Sequence, residues 1–195
     1  QFTYIGQISQ GSYIAATRLD HPAKDLKEWV AWARANAGKV NFASGGAGTS
    51  THLNGELMNQ ATGLDVTHVP YKGSAPAVQD LLGGQTQLLI DAGSVLLAQI
   101  KGGKLKALAV TGPKRDPQLP DVPTVRELGL GAMESVGFQG LVGPAGLPRD
   151  VVDRIAAELA RVLAQAEVKA KFAGVGAEVH SLGPTEFATF VKAEN

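Results

Sequence analysis

The stretch Lys39–Leu57, KVNFASGGAGTSTHLNGEL, decides the fold. It opens with a short apolar run, passes through small residues and then hydroxyls, and takes up helical spacing, with no Lys, Arg, Asp or Glu between Lys39 and Glu56. A strand that turns through glycines into a helix is the repeating joint of an α/β sheet, and ligands gather at such joints, outside the carboxyl ends of the strands. Glycines permit close backbone approach, and the first amides of a helix have no intrahelical acceptor. The amides of Thr49, Ser50 and Thr51 are therefore expected to be free, and with the hydroxyls of Ser44, Thr49 and Ser50 they suit an anion without any basic side chain. On spacing alone, an ordinary capped strand-to-helix turn is an equally good reading.

Working outward, the same alternation recurs. DVTHV precedes a helix over 74–82, TQLLID precedes one over 94–100, and LKALAVT closes the series. Ser74 and Ser94 are expected as N-caps, and Gly83-Gly84 and Gly102-Gly103 as stops. Strands separated by helical segments imply parallel pairing through right-handed crossovers. Upstream, FTYIGQISQGSYIAATR reads as extended chain with a bend at Gly11, followed by a helix from Asp25 to Gly38 whose stripe is Leu26, Trp29, Val30 and Ala33. The helix after the glycine joint is expected to bury Leu53, Leu57 and Ala61. From Pro113 to Pro123 the prolines and charges mark a surface loop. Beyond it lie an extended piece at ESVGFQGLVGPAGLP, a helix striped by Val151, Ile155, Leu159 and Val162, a short AEVHSL strand and a last helix with Phe187, Phe190 and Val191.

Composition removes several function classes. The 18 basic and 18 acidic side chains cancel, with no run of one sign, so diffuse binding to nucleic acid or an anionic membrane is disfavoured. With no cysteine, disulfides, thiolate metal sites and cysteine nucleophiles are out. No stretch reaches the roughly 20 apolar residues of a bilayer span, and no signal-peptide pattern is present. His21, His52, His68 and His180 show no metal-ligand spacing, and neither a metal nor a cofactor is expected. Gly48 is followed by Thr49 and Ser50 instead of Lys-Ser/Thr, and Thr51 stands where GxGxxG requires glycine, so nucleotide loops are weak readings. There is no GxSxG elbow. A hydrolase or transferase built on Ser44 or Ser50 with His52 stays open as a second reading, to be decided by whether an acid backs the histidine.

Two more candidates complete the site. HVPYKGSAPAVQDLL brings Tyr71, Lys72, Gly73 and Ser74 to another helix start, where the amides of Ser74 and Ala75 are available and Pro76 is tolerated. Asp91 ends an apolar strand. It is placed either to accept from a ligand hydroxyl or amine or to organise backbone amides, which makes it a candidate for selectivity more than for affinity.

The order of SGGAGTSTHLNGELM, VTHVPYKGSAPAVQDLLGGQTQLLID, IKGGKLKALAVTGPKRDPQLPDVPTVRELGL and GLVGPAGLPRDVVDRI along nearly the whole chain resembles the substrate-binding proteins of tripartite tricarboxylate transporters, the Bug family. The resemblance implies a periplasmic α/β receptor of the type II binding-protein class, not an enzyme, whose parallel-sheet lobe flanked by helices grips a small mono-, di- or tricarboxylate or acidic amino acid and delivers it to membrane permease subunits. A sensing role would use the same form. It implies ligand contacts from Ser44, Gly45, Gly46, Ala47, Gly48, Thr49 and Ser50, from Tyr71, Gly73, Ser74 and Ala75, and from Asp91; His52 matches the family's loop-to-helix histidine. It divides the chain into a hinge crossing at 1–11, a second lobe at 12–134, a return crossing at 135–142 and a remnant of the first lobe at 143–195. The family's PFPPGGGTD-like loop has no counterpart here, and Phe138 stands where many relatives have tryptophan. Apolar helix faces beyond about Gly143 are accordingly expected to be unpartnered, leading to self-association or a mobile tail.

Overall fold

The computed structural model describes residues 2–194. The chain forms two compact units, one from Ser12 to Gly137 and one made of the stretch ending at Gly11 together with the chain from Phe138 onward. The element order is β1 (Phe2–Arg18), α1 (Leu26–Ala35), β2 (Asn41–Ser44), α2 (Ser50–Thr62), β3 (Thr67–Pro70), α3 (Ser74–Gly83), β4 (Leu88–Ala92), α4 (Gly93–Lys101), β5 (Leu105–Val110), β6 (Val136–Pro144), α5 (Arg149–Leu163), α6 (Ala166–Gly174), β7 (Glu178–Leu182) and α7 (Pro184–Ala193), with a 3-10 turn at Gly131–Met133.

In the Ser12–Gly137 unit the strand order is β3-β2-β4-β1-β5. β2 is parallel to β3 and to β4. β1 is antiparallel to both β4 and β5, so the four helix-linked strands point one way as expected and the parallel reading fails only for β1. The second half of β1 is apolar on both faces, as a central strand must be. Ile14 and Ala16 join one core with Ala77, Val78 and Leu81 of α3 and Leu96 and Leu97 of α4. Ala15 joins the other, with Leu26, Trp29 and Ala33 of α1 and Met58 of α2. Helices thus cover the sheet on both sides, and each fully buried Leu or Ile contributes about 1.5–3 kcal/mol relative to exposure.

Helix starts depart from expectation in two places. Gly73 is the N-cap of α3 and Ala92 that of α4, while Ser74 and Ser94 lie inside the first turns. Asp25 caps α1 as its sequence suggests, accepting from the Glu28 amide. In α2 the buried face is Thr51, Asn54, Gly55 and Met58, whereas Leu53 is 60% exposed. The helix is rotated because Gly55 lies on the Phe42 ring: a Cβ there would stand 2.1 Å from Phe42 Cε2. Asn54 is held by its bond to the Ser50 carbonyl and by the Ser135 hydroxyl, which donates to Asn54 Oδ1.

In the other unit, the first half of β1 pairs antiparallel with β7 and also pairs with β6. Phe187 of α7 is buried edge-on to Tyr4 and Phe138, in a space that exists because Gly140 has no Cβ. The apolar stripe of α5, expected to lack a partner, is half open: Val151, Ile155 and Val162 are 37–39% exposed, and the buried residues are Val152 and Leu163.

Candidate functional site

The joint after β2 is organised by its own polar groups. Gly45 N donates to Thr51 Oγ1 at 2.8 Å, Gly46 N to Ser44 Oγ at 3.1 Å, and Gly48 N to His52 Nδ1 at 3.1 Å. Thr49 is the N-cap of α2; its hydroxyl donates to the Gly46 carbonyl at 2.6 Å and accepts weakly from His52 N. Gly46 sits at φ +135° and Gly48 at φ +79°, conformations that strain any side-chain-bearing residue. The expectation that the Thr49 amide is free is corrected: it donates to Gly46 O at 3.3 Å. The amides of Ala47, Ser50 and Thr51 have no acceptor among the described residues.

The second loop is stitched to the first. Tyr71 N donates to Ser44 O at 2.9 Å and Gly73 N to Gly45 O at 3.0 Å. A Cβ on Gly45 would lie 3.5 Å from Ser74 N, so the first turn of α3 begins beside the glycine loop. Ser74 and Ala75 amides have no acceptor among the described residues. Tyr71 does not offer its hydroxyl: it donates to Asp80 Oδ2 at 2.7 Å, and desolvation together with that bond pushes the phenol up to about 12.

Asp91 lies at the end of β4, 4% exposed. Its Oδ1 accepts from the Ala92 amide at 2.7 Å, and Oδ2 has no partner among the described residues. Burial raises its pKa; the Ser74 hydroxyl and the Ala92 amide act in the opposite direction. The Ser74 hydroxyl is thus a neighbour of the carboxylate without completing a hydrogen bond to Oδ2. Gly45, Gly46, Gly73, Ser74 and Asp91 are brought together through these contacts. Ala47, Gly48, Thr49, Ser50 and Ala75 form an exposed rim, and Ser44 lies fully buried beneath.

Sequence reasoning missed His68. In the parallel register of β2 and β3 it pairs with Phe42, which puts Phe42, Ser44 and His68 on the α2 side of the sheet. Ser44 Oγ and His68 Nε2 are 2.6 Å apart, and the His68 ring stacks on Phe42 at 4.9 Å and on His52 at 4.0 Å. His52 Nε2 faces Glu56 Oε1 at 3.6 Å. Burial lowers the His68 pKa, His52 lowers it further, and Glu56 opposes. The signal that marks this histidine is strand alternation in THVP combined with the pairing register, and only the first is written in the sequence. The serine–histidine contact supports the loop: Ser44 is sealed from solvent, and His52 Nδ1 is occupied by Gly48.

Among the described residues no group of three or more His, Cys, Asp or Glu is placed to hold a metal, and no helix is long and apolar enough to cross a membrane. The fold and the paired helix starts define a binding-protein architecture. The solved periplasmic binding protein BugD superposes with a TM-score of 0.92 at 36% identity, covering 98% of this chain and 65% of that one. R. palustris Rpa4515 with adipate superposes with a TM-score of 0.94 at 29% identity, covering 99% and 64%. A curated relative from Pseudomonas sp. (strain P51), the UPF0065 protein in the tcbD-tcbE intergenic region, is 37% identical over 176 residues, 90% of this chain. Residues 1–195 match the model of the tripartite tricarboxylate transporter family receptor, and the chain belongs to that family. It spans about half the length of that curated relative, 52%. The family and its solved neighbours are solute-binding proteins and not enzymes, which removes the serine hydrolase reading.

Proposed function

We propose that this chain carries the carboxylate-gripping lobe of a periplasmic receptor that delivers a small organic acid to the membrane subunits of a tripartite transporter. The observation that carries the proposal is the side-by-side start of α2 and α3, where Ser50, Thr51, Ser74 and Ala75 amides lack acceptors among the described residues. A hydrogen bond to a charged acceptor contributes about 1.5–3 kcal/mol, so a few of these offset the several kcal/mol that a carboxylate loses on leaving water. The partial positive charge at each helix start adds to this. No lysine or arginine is needed, in keeping with the uncharged sequence from Val40 to Gly55. That a similar protein is solved with adipate supports the class of ligand.

Ligand contacts are assigned to Gly45–Ser50 and Gly73–Ala75, with Ser44 and Tyr71 as braces of the two loops. Asp91 selects for acids bearing a hydroxyl, an amine or a protonated carboxyl toward Oδ2. Residues 12–134 form the ligand-holding lobe and 143–195 belong to the other, with crossings at 1–11 and 135–142. The test is calorimetry of the intact protein against acetate, succinate, malate and adipate, with Gly46→Ala in parallel. Binding of one of the acids, lost in the variant whose Cβ would stand 3.2 Å from the Tyr71 carbonyl, is expected. No heat with any of the acids, or unchanged binding by the variant, refutes the assignment.

A further inference from the structure

We infer that the stacked His52–His68 pair couples carboxylate capture at the glycine loop to the uptake of a proton on His68. This rests on the loop being the carboxylate site. The Gly48 amide donates to His52 Nδ1, so a second proton on His52 would break a bond that shapes the loop. His68 has no such obstacle. Ser44 Oγ stands 2.6 Å from His68 Nε2, 3.1 Å from Gly46 N and 3.2 Å from Gly46 O. With Nε2 carrying hydrogen, the hydroxyl accepts from Nε2 and from Gly46 N and donates to Gly46 O, satisfying all of these contacts at once. A proton then arrives at Nδ1, leaving the Ser44 support intact.

The charged and titratable groups around His68 are few. α2 presents His52 at 4.0 Å between ring centroids, and Glu56, which faces His52 Nε2. β2 presents only the Phe42 ring and the Ser44 hydroxyl. Burial holds the imidazolium form back in the free protein. An anion above Gly46 supplies the missing counter-charge and raises the proton affinity of His68. By reciprocity of linkage the proton raises the affinity for the anion by the same factor. The sign follows: binding tightens as pH falls through the pKa of the liganded form, and levels off below that of the free form.

Calorimetry of the intact protein with adipate between pH 8.0 and 5.0, in buffers of different ionisation heat, tests this against His68→Gln, which keeps a donor toward Ser44 Oγ but does not titrate. The ligand's own titration is common to both proteins and cancels. The dissociation constant of the native protein is expected to fall about five-fold more than that of the variant over this range, with net proton uptake. Nitrogen-15 NMR of the His68 ring, which needs no variant, should show its pKa rising when adipate is added. Equal pH slopes in the two proteins, or a His68 titration unmoved by adipate that binds, overturn the inference and leave the carboxylate reading standing. Absence of binding at every pH overturns both.

Discussion

Replacing Gly55 by alanine tests whether α2 is positioned by the Phe42 ring. Two effects oppose one another. Gly→Ala inside a helix adds about 0.5–1 kcal/mol through reduced backbone entropy. The new Cβ, however, would meet Phe42 Cε2 at 2.1 Å, Cδ2 at 2.4 Å and Cζ at 2.6 Å. Ordinary carbon contacts lie near 3.5 Å, so the ring must retreat by about 1.4 Å. Phe42 is 1% exposed and stacks 4.9 Å from His68, so it has no empty space to enter. Overpacking of this kind costs about 1–3 kcal/mol, and with the overlap near the severe end the net loss is about 1–2 kcal/mol. For a chain of this size that lowers the melting temperature by about 2–8 °C. Gly83→Ala, at the end of α3 with nothing within 4 Å of its Cβ, is the control and should be neutral or slightly stabilising. Differential scanning calorimetry and urea titration read both. A Gly55→Ala protein that melts at or above the native one refutes the packing account of α2.

Asp91→Asn should raise stability at neutral pH: burial lifts the Asp91 pKa, so its charge weakens the fold above that pKa, and the advantage of asparagine should vanish as pH falls through it. Glu127 behaves oppositely. The Arg115 guanidinium and the Thr124 amide lower its carboxyl to about 2 from 4.5, so its contribution is present above about 4.5 and is lost as pH falls toward 2. Glu127→Gln should therefore flatten the acid limb of a stability profile. On α5, Val151, Ile155 and Val162 leave an apolar face 37–39% exposed, and this 195-residue chain should associate in light scattering, with Ile155→Asp shifting it to monomer.

Much of the fold was legible because its signals are local. Asp25 before Leu26, the glycines at 83–84, and apolar VNFAS running into small residues each express one rule of backbone geometry or capping, and the elements lie where those rules place them. The buried face of α2 was not legible, because Gly55 and Asn54 occupy it through shape and hydrogen bonding, which apolar periodicity does not register. Nor was the reversal of β1, since a strand buried on both faces reads the same in either direction.

For the site, the chain itself determined that two helices begin after glycine-containing turns, the first of them without a basic side chain, because backbone conformation and helix ends are properties of neighbouring residues. Only the tertiary structure decided which amides stay available. Gly45, Gly46, Gly48 and Thr49 spend theirs on Thr51, Ser44, His52 and Gly46, while Ser50, Thr51, Ser74 and Ala75 keep theirs. It also decided that His68 stands against Ser44. The loop's own bonds span only two to six positions but need side-chain rotamers and backbone angles that the residue order does not spell out, and the Ser44–His68 contact, 24 positions apart, depends on strand register, which is settled by packing across the whole sheet.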